Sequence, residues 1–152
     1  MMTQEDMKLY LQEKIPQAVP EEGEWLQLHV EAADWPALAN LLKREERWQM
    51  DYLFCLTCVD WKTHLSMVYH LTSTVWHHNL VIKIKLDPKH PVVDSVSQVW
   101  RTAEFHEREV YELFGVHFSH HPDLRLLILP DGWEGKHPLR KDFDDPVNMI
   151  RL

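Results

Sequence analysis

Prolines at positions 122, 130, 138 and 146, with glycines at 132 and 135, crowd the chain after Gly115 so tightly that no long helix or strand can form there. Regular structure is therefore expected before Gly115. The spacing predicts a globular part at residues 1–115 and an extended docking arm at residues 116–152, both in one structural unit. Leu124, Leu126, Leu127, Ile128, Leu129, Trp133 and Phe143 make the arm too apolar for a free tail. It is expected to lie against something, and the expected core for it is another protein.

Upstream, Thr3 is placed to cap a short peripheral helix with Met7, Tyr10, Leu11 and Ile15 on one face, which Pro16 and Pro20 end. Residues 24–31 alternate Leu26, Leu28 and Val30 with Gln27 and His29, the period of a half-buried strand. Asp34 is placed to cap a second helix, with Pro36 near its start and Leu38, Leu41 and Leu42 as its apolar stripe. Three more strands are expected at residues 52–59, 65–71 and 80–86, joined by links short enough for antiparallel hairpins. These elements predict an α+β fold: a sheet of about four strands, one β-α-β unit plus an antiparallel meander, covered by helices on one face. After Pro88 and Pro91, Asp94 or Ser95 can cap a helix through Val96, Val99, Trp100 and Ala103. It continues or kinks near Phe105 and closes at Gly115, a natural left-handed C-terminal residue.

A chain of 152 residues is expected to be one domain. Its net charge of −8 argues against nucleic acid and against anionic lipid, both of which select clustered Lys and Arg. No apolar run approaches the roughly 20 residues of a spanning helix, and the acidic start MMTQEDMKLY is no secretion signal. A cytoplasmic location, at most peripheral to a membrane through another protein, is the expectation.

Residue chemistry offers three candidates for catalysis. Cys55 and Cys58 form a CxxC, but inside a strand their odd separation points them to opposite faces, and there are no other cysteines to complete a cluster. Eleven histidines lack HExxH or Cys₂His₂ spacing, leaving only a convergence of His117, His121 and His137, with Glu107 or Glu109 as base, for an autonomous metal-dependent enzyme. Four glycines form no phosphate-binding loop. The remaining dense stretch, residues 104–143, contains Glu107, Arg108 and Glu109. Alone these would be a solvated helix face. Their neighbours Tyr111, Phe114, Phe118, Trp133 and Phe143, together with Arg125 and Arg140, instead resemble a docking surface.

The residues EREVYELFGVHF at 107–118, HPDLR at 121–125, ILP at 128–130 and DGWEGKHPLRKDF at 131–143 resemble the C subunit of the proton-pumping NADH-quinone oxidoreductases, respiratory complex I. Element order and Asp60 at the end of a strand agree with that family. The resemblance implies a non-catalytic structural component of the hydrophilic arm on the cytoplasmic side of the membrane. Catalytic, cofactor-binding and metal-ligating residues would all be absent from it. FMN, iron–sulfur clusters and quinone would belong to the assembled complex, and the chief partners would be the D subunit, which forms the quinone site, and neighbouring iron–sulfur subunits. Equivalent scaffolds in membrane-bound hydrogenases, formate hydrogenlyase and ferredoxin- or F420-linked dehydrogenases are the alternative. The implied interface comprises Glu107, Arg108, Glu109, Tyr111, Phe114, His121, Asp123, Arg125, Trp133, His137, Arg140 and Lys141. Three departures from the family's usual pattern stand at Phe105-His106, at His120 where glycine is usual, and at Leu126 where a second arginine is usual.

Overall fold

The computed structural model describes residues 3–150, so the first two residues of the expected globular part and the last two of the expected arm lie outside the described residues. Helix α1 (Gln4–Lys14) begins with a reciprocal cap: the Asp6 amide donates to the Thr3 hydroxyl, and the Thr3 amide donates to the Asp6 carboxylate. Met7 and Leu11 bury its inner face.

The main sheet has five strands, one more than expected. They are β1 (Val19–Glu21), β2 (Leu26–His29), β3 (Tyr52–Asp60), β4 (Leu65–Thr72) and β5 (Asn79–Leu86), in spatial order β1-β2-β5-β4-β3. β1 escapes periodicity because it is three residues long and contains Pro20, which reads as a helix stop. At a sheet edge the missing proline amide has no ladder to break. Helix α2 (Trp35–Arg44) carries the chain from β2 to β3, with Pro36 near its start; Asp34 occupies the cap position but makes no side-chain cap bond. β2 and β3 run parallel, as a β-α-β crossover demands, yet they are not neighbours. β5 pairs with β2 in parallel, and the antiparallel β4 stands between β5 and β3.

The register explains the core. Leu28, Ile82, Tyr69 and Leu56 form one row across four strands, and Leu26, Leu80, Leu71 and Leu53 form the next. All eight are buried, and Met7, Trp35, Leu38, Ala103 and Val110 of the three helices pack into the same cluster.

Two further strands, β6 (Val92–Asp94) and β7 (His117–Ser119), pair in parallel on either side of helix α3 (Ala103–Phe114). The helix expected to start at Asp94 or Ser95 therefore starts later. Asp94 belongs to β6, and the Ser95 hydroxyl and Val96 amide are already bonded to Glu107 of α3. Gly115 does close the helix in the left-handed region, at φ +79°. The packed unit runs past it, since Val116 and Phe118 are buried in the core.

Candidate functional site

Helix α3 organises everything after Gly115. Ala103, Glu107, Val110 and Phe114 lie at the spacing of one inward face, so Glu107 is placed among apolar residues by the helix period itself. It is 0% exposed. Its carboxylate accepts from the Ser95 hydroxyl at 2.6 Å and from the Val96 amide at 2.8 Å. Burial pushes its pKa up to about 7, while those two donors pull the other way. The His121 ring is enclosed beside it, with Nε2 3.7 Å from the carboxylate. That Nε2 donates to the Glu104 carbonyl at 2.9 Å, and the Asp123 amide donates to Nδ1 at 3.0 Å, which fixes one neutral tautomer.

Arg108 is 5% exposed and turns to the arm. Its Nε donates to the Arg125 carbonyl at 3.1 Å and its Nη2 to the Leu126 carbonyl at 2.7 Å. One turn later, Glu112 accepts the next three backbone amides, Leu127 at 2.8 Å, Ile128 at 2.8 Å and Leu129 at 3.1 Å. Glu112 is a residue that sequence reasoning missed. The available signal was its i+4 relation to Arg108, which puts both charges on one side of the helix.

The arm then caps the helix that holds it. A helix end leaves its last four carbonyls without partners. Here Tyr111 O receives the Gly115 amide at 2.9 Å, Glu112 O faces His137 Nδ1 at 3.2 Å, Leu113 O receives the Leu139 amide at 3.0 Å, and Phe114 O receives Arg140 Nη1 at 3.2 Å. Arg140 also donates to the Pro88 carbonyl at 2.8 Å, and its positive charge suits the negative end of the helix dipole. Asp60, buried at the end of β3, accepts the Lys141 amide at 2.8 Å and the Lys62 amide at 2.7 Å. Burial alone would raise its pKa, but those amides and the charges of Arg140 and Lys141 hold it below the ordinary carboxylate range.

The expected interface set thus divides. Glu107, Arg108, Phe114, His121, His137 and Arg140 act inside the chain. Glu109, Tyr111 and Trp133 are half-buried, while Asp123, Arg125 and Lys141 are exposed. Asp123 and Arg125 form a surface pair at 2.8 Å, and Trp133 packs near Phe143 with Lys136 over its ring at 4.5 Å. Where its backbone is firmly bonded the arm presents Leu127, Ile128 and Leu139 outward, and farther along it exposes Val147, Met149 and Ile150. Among the described residues no group of three or more His, Cys, Asp or Glu side chains is arranged to hold a metal ion. His121 and His137 are occupied by the backbone contacts above. Cys58 is buried, with its thiol pushed up to about 12 by burial and by Asp60, while Cys55 occupies the other sheet face. No described helix is long and apolar enough to cross a membrane.

Residues 28–147, from within β2 to near the end of the arm, match the family described as Respiratory-chain NADH dehydrogenase, 30 Kd subunit. The chain belongs to that family. Among similar proteins, the C subunit of the NADH-quinone oxidoreductase of Chloroherpeton thalassium is 40% identical over 111 residues, covering 72% of this chain and 46% of the relative. The C/D subunit of the NADH-quinone oxidoreductase of Phocaeicola vulgatus is 43% identical over 115 residues, covering 74% of this chain but 22% of the relative. The matched stretch thus spans less than half the length of either relative. Among solved structures, a chain from the membrane-bound sulfane sulfur reductase, an archaeal respiratory membrane complex, superposes with a TM-score of 0.77 at 26% identity. That superposition covers 94% of this chain and 86% of the other.

Proposed function

We propose that this chain is a structural component of the hydrophilic arm of a proton-translocating NADH-quinone oxidoreductase, without chemistry of its own. The observation that carries the reading is the division of labour in α3. Two buried charges of the family-like motifs, Arg108 and Glu112, fix the arm, and the fixed arm displays Leu127, Ile128 and Leu139 to the outside. Rigidly held apolar side chains on an otherwise acidic surface suit a protein partner. The partner proposed for them is the quinone-site D subunit, beside neighbouring iron–sulfur subunits. The C/D relative supports this, because the matching stretch forms a fraction of a longer polypeptide whose name joins the two. FMN, iron–sulfur clusters and quinone would then belong to other chains, and the complex would hold this one at the cytoplasmic side of the membrane. A second reading, an equivalent scaffold in a related membrane-bound respiratory complex, is favoured by the fold match to the sulfane sulfur reductase chain.

Purification of a tagged chain from its native host tests both. Co-purification of the quinone-site and iron–sulfur subunits of an NADH-quinone oxidoreductase is the expected result; hydrogenase-like partners would select the second reading. A chain that purifies alone with a stoichiometric metal, flavin or cluster would overturn both.

A further inference from the structure

Three segments far apart in sequence meet at a cleft of about 360 Å³: the turn between β3 and β4, the turn after β5, and the arm near Arg140. Its charged lining runs against the acidic balance of the chain. Lys62, Lys89, Arg140 and Lys141 face Asp60 and Asp142, four cations against two anions, in a protein of net charge −8. Asp60 is buried and its two oxygens are taken by the amides of Lys141 and Lys62, so neither oxygen is paired with a lysine ammonium. That single carboxylate holds Lys141 across 81 positions of sequence and brings its backbone beside that of Lys62. Lys62 is further held by a left-handed backbone at φ +68°. Arg140 is committed to the Pro88 and Phe114 carbonyls, with Asp142 3.7 Å from its Nε. Lys62, Lys89 and Lys141 are exposed residues and form no ion pair among the described residues.

We propose that this cleft receives an acidic segment of a neighbouring subunit, whose carboxylates pair with Lys62, Lys89 and Lys141. Charge complementarity favours a carboxylate-bearing partner, and the flanks favour a protein over a small anion. Trp61 beside Lys62, and Leu139 beside Arg140, are large apolar side chains left exposed at the neighbouring positions in the chain. The proposal rests on the reading of the chain as a docking subunit and assigns it a second contact, charged where the Leu127–Ile128 contact is apolar.

The test uses the assembly that co-purifies with the tagged full-length chain. Zero-length carbodiimide coupling joins lysine amines to carboxylates in contact, so cross-links from at least two of the three lysines to Asp or Glu of another protein in the assembly are expected. A triple K62E/K89E/K141E variant should reduce recovery of that partner at least tenfold at low salt, and a K62Q/K89Q/K141Q variant should reduce it less. Unchanged thermal unfolding of the isolated variants shows that the fold is intact. If all three lysines in the intact assembly react freely with a small acylating reagent and the triple variants co-purify normally, the inference is wrong while the docking role stands. If the wild-type chain recovers no partner, both fail. Binding of inorganic phosphate by the isolated chain, abolished by the Gln variant and without cross-links in the assembly, would make the cleft a small-anion site and overturn the proposal.

Discussion

Arg108 and Glu112 stand one turn apart on α3 and grip consecutive peptides of the arm by opposite means: Arg108 donates to the carbonyls of Arg125 and Leu126, and Glu112 accepts the amides of Leu127, Ile128 and Leu129. A segment of five residues with no strand partner thereby has two of its carbonyls and three of its amides bonded by two side chains. Unpaired backbone groups in a half-buried segment would otherwise destabilise it strongly.

Glu112→Ala is therefore expected to destabilise the protein by about 3 kcal/mol, because three amides lose a charged acceptor at once. Glu112→Gln, which keeps one carbonyl oxygen, should lose less. Urea unfolding measures both, and hydrogen exchange should show the Leu127, Ile128 and Leu129 amides losing protection first. An Ala variant within experimental error of wild type would show that solvent replaces the carboxylate without penalty.

Glu107 predicts an opposite kind of dependence, on pH. Its folded pKa of about 7 lies above the unfolded carboxyl value of about 4.3. Between those values the folded state keeps a proton that the unfolded state has lost. Its contribution is thus fully present at low pH and is lost as pH rises towards about 7, at up to ~1.4 kcal/mol per pH unit. Glu107→Gln cannot titrate, so it should gain on wild type between about pH 5 and about pH 8 in paired urea titrations. A constant difference across that range would contradict the assignment.

Where the sequence spoke clearly, it did so through short-range rules. The capping box at Thr3 and Asp6, the alternation of Leu26 and Leu28, and the glycine that ends α3 are each specified by neighbours within a few positions. β1 and the β6–β7 pair were not readable, since three-residue strands carry no period and exist only through partners distant in the chain. The same distinction applies to the arm. Its prolines and apolar residues announced an irregular, covered segment, but the cover includes this chain's own α3, through contacts 15 to 26 residues apart. Glu107 could have been placed inside by its helical spacing with Ala103, Val110 and Phe114. Nothing short of the fold pairs Asp60 with Lys141.

Gly115 carries two constraints that can be separated. Its φ of +79° disfavours any side chain, and a Cβ there would stand 2.8 Å from the His137 ring. Gly115→Ala should destabilise by about 1–2 kcal/mol from the backbone alone, with more from the displaced ring. In a His137→Ala background the clash is gone and only the backbone part remains, so a double-mutant cycle should show coupling between the two sites. Strict additivity would mean that the ring moves aside freely.

Truncation decides where the globular unit ends. We expect residues 1–119 to unfold cooperatively and residues 1–115 not to, because the shorter chain lacks β7 and with it Val116 and Phe118, both buried in the core. Removing a buried phenylalanine side chain alone destabilises by about 3–5 kcal/mol, a large share of the roughly 5–15 kcal/mol of a typical domain. Loss of the arm beyond Ser119 is a lesser injury. The helix carbonyls, Arg108 and Glu112 that it covers return to water instead of being stranded in the interior, so their desolvation is relieved together with their bonds. Calorimetric and urea transitions of the two truncations compare these expectations directly, and a cooperative transition in residues 1–115 would move the boundary back to Gly115.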